Sequence, residues 1–81
     1  MIKLNAKLSG QEKMIQHVNQ KKIVLAWSTI VDEKFFNGLV STGKIKTSVT
    51  RISFDNGKIR DYLESLDEVI DLINNANNQN G

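Results

Sequence analysis

The chain contains no cysteine and no proline among its 81 residues, and it has a single histidine, His17. Without cysteine it can form no disulfide, no thiolate zinc site and no cysteine nucleophile. With one imidazole, a zinc site would need carboxylates for its other ligands. No serine lies in a nucleophile-elbow sequence, and no glycine spacing matches a phosphate-binding loop. The sequence therefore predicts a non-enzymatic protein with no catalytic residue, no metal and no cofactor.

Long apolar segments are also absent. The longest uncharged, apolar-rich run extends from Ile23 to Val31, which is far shorter than the ~20 residues of a membrane-spanning helix. Residues 1–5 lack the basic-then-apolar pattern of a signal peptide. A chain of this length holds one domain. We expect a cytoplasmic protein that does not contact a membrane.

Charge is unevenly distributed along the chain. Residues 1–51 contain nine basic and three acidic side chains, a net charge of +6, whereas residues 52–81 contain two basic and six acidic ones, a net charge of −4. Such a difference in net charge is typical of secondary-structure elements whose solvent-exposed faces differ in charge. Alternatively, the basic region can bind an anionic partner, including nucleic acid, or an acidic surface of another subunit. Lysine, isoleucine and asparagine occur nine times each, a bias of AT-rich coding sequence that indicates a bacterial or phage origin.

The first half of the chain predicts three strands. Residues 2–8 alternate apolar and polar side chains, which is typical of a half-buried strand, and Ser9 and Gly10 predict a tight turn. Residues 11–20 fit either a short helix or a strand. The strand is favoured because a two-residue turn would place Glu12 opposite Lys7. Residues 23–31 predict a central strand, and residues 32–43 a loop or an irregular short hairpin.

The second half predicts a hairpin. Asn56 and Gly57 separate two alternating runs, which favours a two-residue type I′ turn between strands 45–54 and 59–63. In that register the core face consists of Thr50, Ile52, Phe54, Ile59 and Leu63. The face that is largely exposed consists of Val49, Arg51, Ser53, Lys58, Arg60 and Tyr62. Asp61 then falls on the apolar face, where a carboxylate does not fit, so we expect a strand end, a bulge or a buried partner there.

A helix follows the hairpin. Ser65 and Glu68 have the spacing of a capping box, and an apolar stripe follows at helical spacing, formed by Leu66, Val69, Ile70 and Ile73. The sequence thus predicts an α+β fold, a small antiparallel sheet of four to five strands covered on one face by a C-terminal helix. Residues 1–74 form this single domain, and residues 75–81 form a disordered, asparagine-rich tail.

The order of these elements resembles a known group of small proteins. A short N-terminal strand with a glycine-containing turn precedes the sequence Ile-Ser-Phe-Asp-Asn-Gly-Lys at 52–58 and Glu-Ser-Leu-Asp-Glu-Val-Ile at 64–70. This arrangement resembles FlbD-like small flagellar proteins and other short bacterial and phage chains. The resemblance covers about 30 residues of the hairpin and helix. It implies a shared local fold and assigns no functional residue.

The remaining features indicate binding rather than catalysis. Phe35 and Phe36 form an aromatic pair in the predicted loop, and exposed aromatic side chains contribute strongly to protein interfaces. The first hypothesis is a protein-interaction module that self-associates through a sheet edge or through Phe35 and Phe36. The alternative is an RNA- or single-stranded-DNA-binding protein in which Lys34, Lys44, Lys46 and Arg51 contact phosphates. A third is a phage or mobile-element accessory protein that modulates a host protein. No small-molecule substrate is evident.

Overall fold

The computed structural model describes the backbone of residues 1–8, 12–37 and 40–78, and the side chains of these residues outside 33–45. Five strands and one α-helix follow one another in this part of the chain. The strands are β1 (Ile2–Lys7), β2 (Lys13–Val18), β3 (Ile23–Asn37), β4 (Val40–Phe54) and β5 (Ile59–Tyr62). A short 3-10 helix, Gln20–Lys22, joins β2 to β3, and helix α1 spans Leu66–Asn78. The predicted α+β fold is confirmed.

All strand pairs are antiparallel, and the sheet order is β2-β1-β5-β4-β3. β1 and β2 form one hairpin, β3 to β5 form a meander, and β5 returns to β1, where Ala6 lies opposite Tyr62. The ambiguous segment 11–20 contains a strand, as favoured. The prediction of a central position for residues 23–31 is wrong, because β3 is an edge strand. Its apolar composition reflects exposed side chains rather than burial on two faces.

The core lies on one face of the sheet, beneath α1. Alternate residues of β1 point into it, and they are joined by side chains from the other elements: the buried apolar cluster consists of Ile2, Leu4, Ala6, Val18, Ile52, Tyr62 and Val69. Val69 of α1 is fully buried, so the helix covers this face as predicted. Ser65 caps the start of the helix as predicted, since the Glu68 amide donates to the Ser65 hydroxyl at 3.2 Å.

The turn between β4 and β5 has three residues, Asp55–Gly57, rather than two. The Gly57 amide donates to the Phe54 carbonyl, and the Phe54 amide donates to the Lys58 carbonyl, both at 2.9 Å. Gly57 has φ +83°, whereas Asn56 does not have a positive φ. This is a type I turn followed by a left-handed glycine, the usual three-residue hairpin loop. The predicted type I′ turn is therefore wrong, and the strand register moves by one residue.

The shifted register exchanges the two faces of β5. Thr50 lies opposite Tyr62 and Arg51 opposite Asp61, so Tyr62 enters the core with 1% of its surface exposed. Ile59 and Leu63, which were predicted in the core, are 52% and 37% exposed. Asp61 leaves the apolar face, which resolves its misfit. We call the side of the sheet away from α1 the outer face; Asp61 and Arg51 share it.

The first hairpin differs from its prediction in the same way. Lys7 lies opposite Lys13, and the Leu8 amide donates to the Glu12 carbonyl at 3.0 Å. Glu12 is therefore opposite Leu8 rather than Lys7, so that three residues rather than two separate the paired positions. The loop residues 9–11 themselves, including Ser9 and Gly10, lie outside the described residues.

Strands β3 and β4 are much longer than the other strands. Their pairing runs from Ile23 opposite Phe54 to Asn37 opposite Val40, whereas β5 pairs only with residues 50–53 of β4. Residues 29–37 and 40–49 therefore form a two-stranded ribbon, which we call the arm. The molecule measures 54 × 23 × 19 Å. For residues 32–43 the sequence predicts a loop or an irregular short hairpin. The loop is wrong, since residues 32–37 and 40–43 continue the strands. The hairpin alternative holds in that these residues pair with an irregularity between Phe35 and Phe36, but they form the end of a long hairpin rather than a short one.

Helix α1 ends four residues later than the predicted domain boundary at 74. Leu72, Ile73 and Ala76 pack against the core cluster, so the apolar stripe continues one turn into the asparagine-rich segment. Residues 75–78, which were predicted to belong to a disordered tail, are helical. Residues 79–81 lie outside the described residues.

Candidate interaction surface

The free edge of β3 exposes backbone donors and acceptors. The Phe54 amide and carbonyl both form hydrogen bonds on the β5 side of β4. Backbone groups alternate in direction along a strand, so the amide and carbonyl groups of Ser53 and Arg51 point toward β3. Trp27 lies opposite Arg51 and Leu25 opposite Ser53, so the backbone groups of Trp27 and Leu25 form their hydrogen bonds with β4. The intervening residues Ala26, Ser28 and Ile30 therefore direct their amide and carbonyl groups to the free edge.

Apolar side chains accompany these free backbone groups. Val24, Leu25 and Ile30 are 66%, 59% and 63% exposed, and residues 25–31 contain no charge. Edge strands are normally short or protected by charged residues or proline. The opposite edge, β2, follows that rule, because it has six residues and includes Lys13. β3 lacks both kinds of protection, because it has 15 residues and carries no charged side chain along residues 25–31.

The outer face has an ion pair beside the only tryptophan. Trp27 lies opposite Arg51, and Arg51 lies opposite Asp61, in one row across three strands. The Arg51 Nε donates to Asp61 Oδ1 at 2.7 Å and the Nη2 to Oδ2 at 3.1 Å. This hydrogen bonding and the charge of Asp61 raise the pKa of the Arg51 guanidinium above its usual value. Arg51 is thus held in place as a paired cation.

Phe35 and Phe36 lie on β3 and not in a loop. Phe35 is opposite Gly43 and Phe36 opposite Ser41, with an irregularity in the register between them. Their side chains lie outside the described residues. The aromatic pair therefore lies on the same strand as the free β3 edge.

The four predicted phosphate-contacting residues do not form one cluster. Lys34 and Lys44 are cross-strand neighbours in the arm, and Lys46 lies opposite Asp32; the side chains of Lys34 and Lys44 are outside the described residues. Lys46 is exposed, but Arg51 is five positions along the same strand. An odd separation places Lys46 and Arg51 on opposite faces of the sheet.

Two kinds of feature, a metal-binding cluster and a membrane-spanning helix, are absent from the part of the chain that the structure describes. Among the described side chains, those of residues 1–8, 12–32 and 46–78, no three histidine or acidic groups are placed to hold a metal ion. No helix among those residues has the length and apolar content needed to cross a bilayer.

Comparison with known proteins assigns no family. No protein-family model, curated protein or solved structure matches the chain. The resemblance to FlbD-like flagellar proteins stays a prediction based on residues 52–70.

The sequence indicated the apolar segment 23–31 but not its place at the edge. An uncharged run of β-branched and aromatic residues is compatible with a central strand or an interacting edge strand. What distinguishes the two here is the topology, in which β5 rather than β3 returns to β1.

Proposed function

We propose that this protein is an interaction module that self-associates through the free edge of β3. The observation that carries the proposal is the coincidence of free backbone groups and exposed apolar side chains on one uncharged edge. An unprotected edge strand is a template for pairing with another strand. A second copy of the same edge would satisfy both features at once.

Two-fold symmetry is compatible with this edge. In an antiparallel pair centred on Ser28, Ala26 of one copy lies opposite Ile30 of the second copy, and their outward backbone groups face each other. On the outer face, Leu25 lies opposite Val31 and Trp27 opposite Thr29. Because residues 25–31 contain no charge, the pairing brings no like charges together. Such isologous contacts are the commonest kind in soluble homodimers.

The small core supports the same proposal. A domain of about 80 residues buries a modest fraction of its surface, so its stability is limited unless it gains contacts from a partner. The arm also requires further contacts to be stable, because an isolated two-stranded ribbon is marginally stable in water. In the register centred on Ser28, pairing would give residues 29–33 of the arm a third strand, formed by residues 23–27 of the second copy.

Sedimentation velocity over a range of protein concentrations tests the proposal. The wild-type chain should shift from monomer to dimer as concentration rises. Ile30→Lys places a charge on the edge and should leave the protein monomeric. Ile59→Lys is the matched control, because Ile59 is also about half exposed but lies on an internal strand. Dimers that persist in Ile30→Lys, or a wild type that stays monomeric at every concentration, would refute edge pairing.

A proline variant tests the backbone contribution directly. Ser28→Pro removes an amide that points away from β4, so it should abolish association while the hairpin is retained. Circular dichroism of the variant verifies that the strand content is preserved. Association equal to that of the wild type in this variant would locate the interface elsewhere.

A second candidate is binding of RNA or single-stranded DNA by the arm. The observation in its favour is that Lys34 and Lys44 are cross-strand neighbours, with exposed Lys46 two residues further along β4. Gel shifts at low and high salt distinguish the candidates, because phosphate contacts weaken steeply with salt. Lys44→Glu/Lys46→Glu should abolish nucleic-acid binding and leave self-association unchanged. The absence of any shift at low salt would remove this candidate.

A further inference from the structure

A cleft separate from the β3 edge lies between the end of β2 and the β4–β5 turn. It has a volume of about 240 Å³ and opens to solvent. The short connection Gln20–Lys22 brings these two parts together, since the Asp55 amide donates to the Lys22 carbonyl at 2.9 Å. Tyr62 and Gln16 join the two walls, because the Tyr62 hydroxyl donates to Gln16 Oε1 at 3.0 Å. Phe54 and Val18 contribute apolar surface.

The lining of this cleft is positively charged. Among the described residues that line it, none carries a carboxylate, and the ionisable side chains are three cations, an imidazole and a phenol: Lys22, Lys58, Arg60, His17 and Tyr62. Lys22 has an acidic partner, Asp55, at 3.5 Å. Among the described residues, Lys58 and Arg60 have no carboxylate within ion-pair distance. Lys58, which directly precedes β5, and Arg60 on β5 are therefore two neighbouring cations without a carboxylate partner in the described part of the chain.

Arg60 occupies an unusual position for a charged residue. It lies opposite Ile52, which is fully buried, so it belongs to the face that forms the core. Burial raises the pKa of the Tyr62 phenol, and the positive charge of Arg60 opposes that rise. The guanidinium is thus within electrostatic reach of the buried hydroxyl, at the mouth of the core.

Neutral donors complete the lining. Asn56 Oδ1 accepts a hydrogen bond from the Lys58 amide at 2.9 Å, so the Asn56 side-chain NH₂ remains available to donate. Arg60 Nη1 donates to the Ile59 carbonyl at 3.2 Å, so the Nε and Nη2 edge of the guanidinium is the one that can present two parallel N–H groups to an oxyanion. Lys58 supplies a point charge. This donor set exceeds what one carboxylate needs and matches the two negative charges of a phosphate monoester.

We propose that this cleft binds the phosphate group of a small phosphorylated molecule through Arg60 and Lys58. The volume is slightly below the ~300 Å³ of the smallest usual ligand pockets. A phosphate with a small substituent fits it, whereas a larger ligand would leave its remaining part outside, along exposed side chains. The proposal does not depend on the β3 edge, because the two sites share no residue.

Amide chemical shifts measured by NMR test this proposal with inorganic phosphate and a nucleoside monophosphate as probes. Ionic strength is kept constant with chloride, and the Ile30→Lys variant is used so that self-association does not contribute. We expect saturable shifts confined to residues 54–62 and 16–22. Arg60→Gln and Lys58→Gln should each weaken the affinity by about tenfold or more.

The control is Lys13→Gln, which removes an exposed lysine of β2 outside the cleft. It should leave the affinity unchanged. Saturation by the nucleotide and not by inorganic phosphate would assign the preferred ligand as an organic phosphate, and equal binding would assign phosphate itself. Shifts that do not saturate, that are spread over all lysines, or that decline equally in the control would overturn the site.

Discussion

Replacing Tyr62 and Leu63 separately tests the strand register of the second hairpin. Tyr62 has 1% of its surface exposed and Leu63 has 37%. Truncating a buried aromatic side chain to alanine typically costs about 3–5 kcal/mol, and the lost hydrogen bond to Gln16 adds about 1 kcal/mol. Leu63→Ala should cost about 1 kcal/mol or less, because the side chain is partly solvated.

These costs are large relative to the whole domain. A chain of this size has a free energy of unfolding of about 4–12 kcal/mol, so Tyr62→Ala removes a substantial part of it. If that variant does not fold, Tyr62→Phe remains measurable, since it deletes only the hydroxyl and should cost about 1 kcal/mol. Each kcal/mol lowers the Tm of a domain this small by about 4–8 °C.

Urea denaturation followed by the fluorescence of Trp27, the only tryptophan, measures these differences. All variants are compared at one low protein concentration, because association would raise the apparent stability. The structure predicts that Tyr62→Ala is much more destabilising than Leu63→Ala. The register of a two-residue turn would reverse that order, and a reversed order would refute the three-residue turn.

Four further predictions concern single side chains. Gln20→Met should raise the free energy of unfolding by about 1 kcal/mol, because the buried Gln20 Oε1 has no hydrogen-bond partner among the described residues. Gln16→Met should lower the free energy of unfolding by a similar amount, because it removes the acceptor of the Tyr62 hydroxyl; a change of the same sign in both variants on urea denaturation would contradict this. Gly57→Ala should lower the Tm, with a cost of about 1 kcal/mol from the positive φ, while Gly57→Asn should cost less. Ser65→Ala should cost about 1 kcal/mol through loss of the helix cap, seen as reduced helical circular dichroism on heating. Because the pKa of Tyr62 is raised in the folded state, stability should be complete below the unfolded pKa of about 10 and decline as pH rises above it; Tyr62→Phe should lack this decline.

Sequence patterns predicted the elements better than their registers. Alternation in residues 2–8 and helical spacing after Ser65 are strong local signals, and both elements form as expected. Asn56 and Gly57 predict a turn but do not determine its length, because the same dipeptide occurs in two-residue turns and in type I turns with a following left-handed glycine. One extra loop residue exchanges the faces of the strand that follows, which is why Tyr62 and Leu63 exchange roles.

The candidate surfaces depend on contacts between distant parts of the chain. The return of β5 to β1 places β3 at the edge, and no local pattern in residues 23–31 encodes that choice. The cleft likewise combines the end of β2 with the β4–β5 turn, which are about forty residues apart in sequence. Arg60 was predicted on an exposed face, and its place beside the core follows only from the corrected register.

Hydrogen exchange of individual β3 amides tests edge pairing most directly. The amides of Leu25, Trp27 and Thr29 bond inward to β4, so they should be protected at every protein concentration. The amides of Ala26, Ser28 and Ile30 should exchange rapidly in dilute protein and become protected as the concentration rises. Rapid exchange of these three amides at concentrations where the protein is dimeric would contradict association through β3.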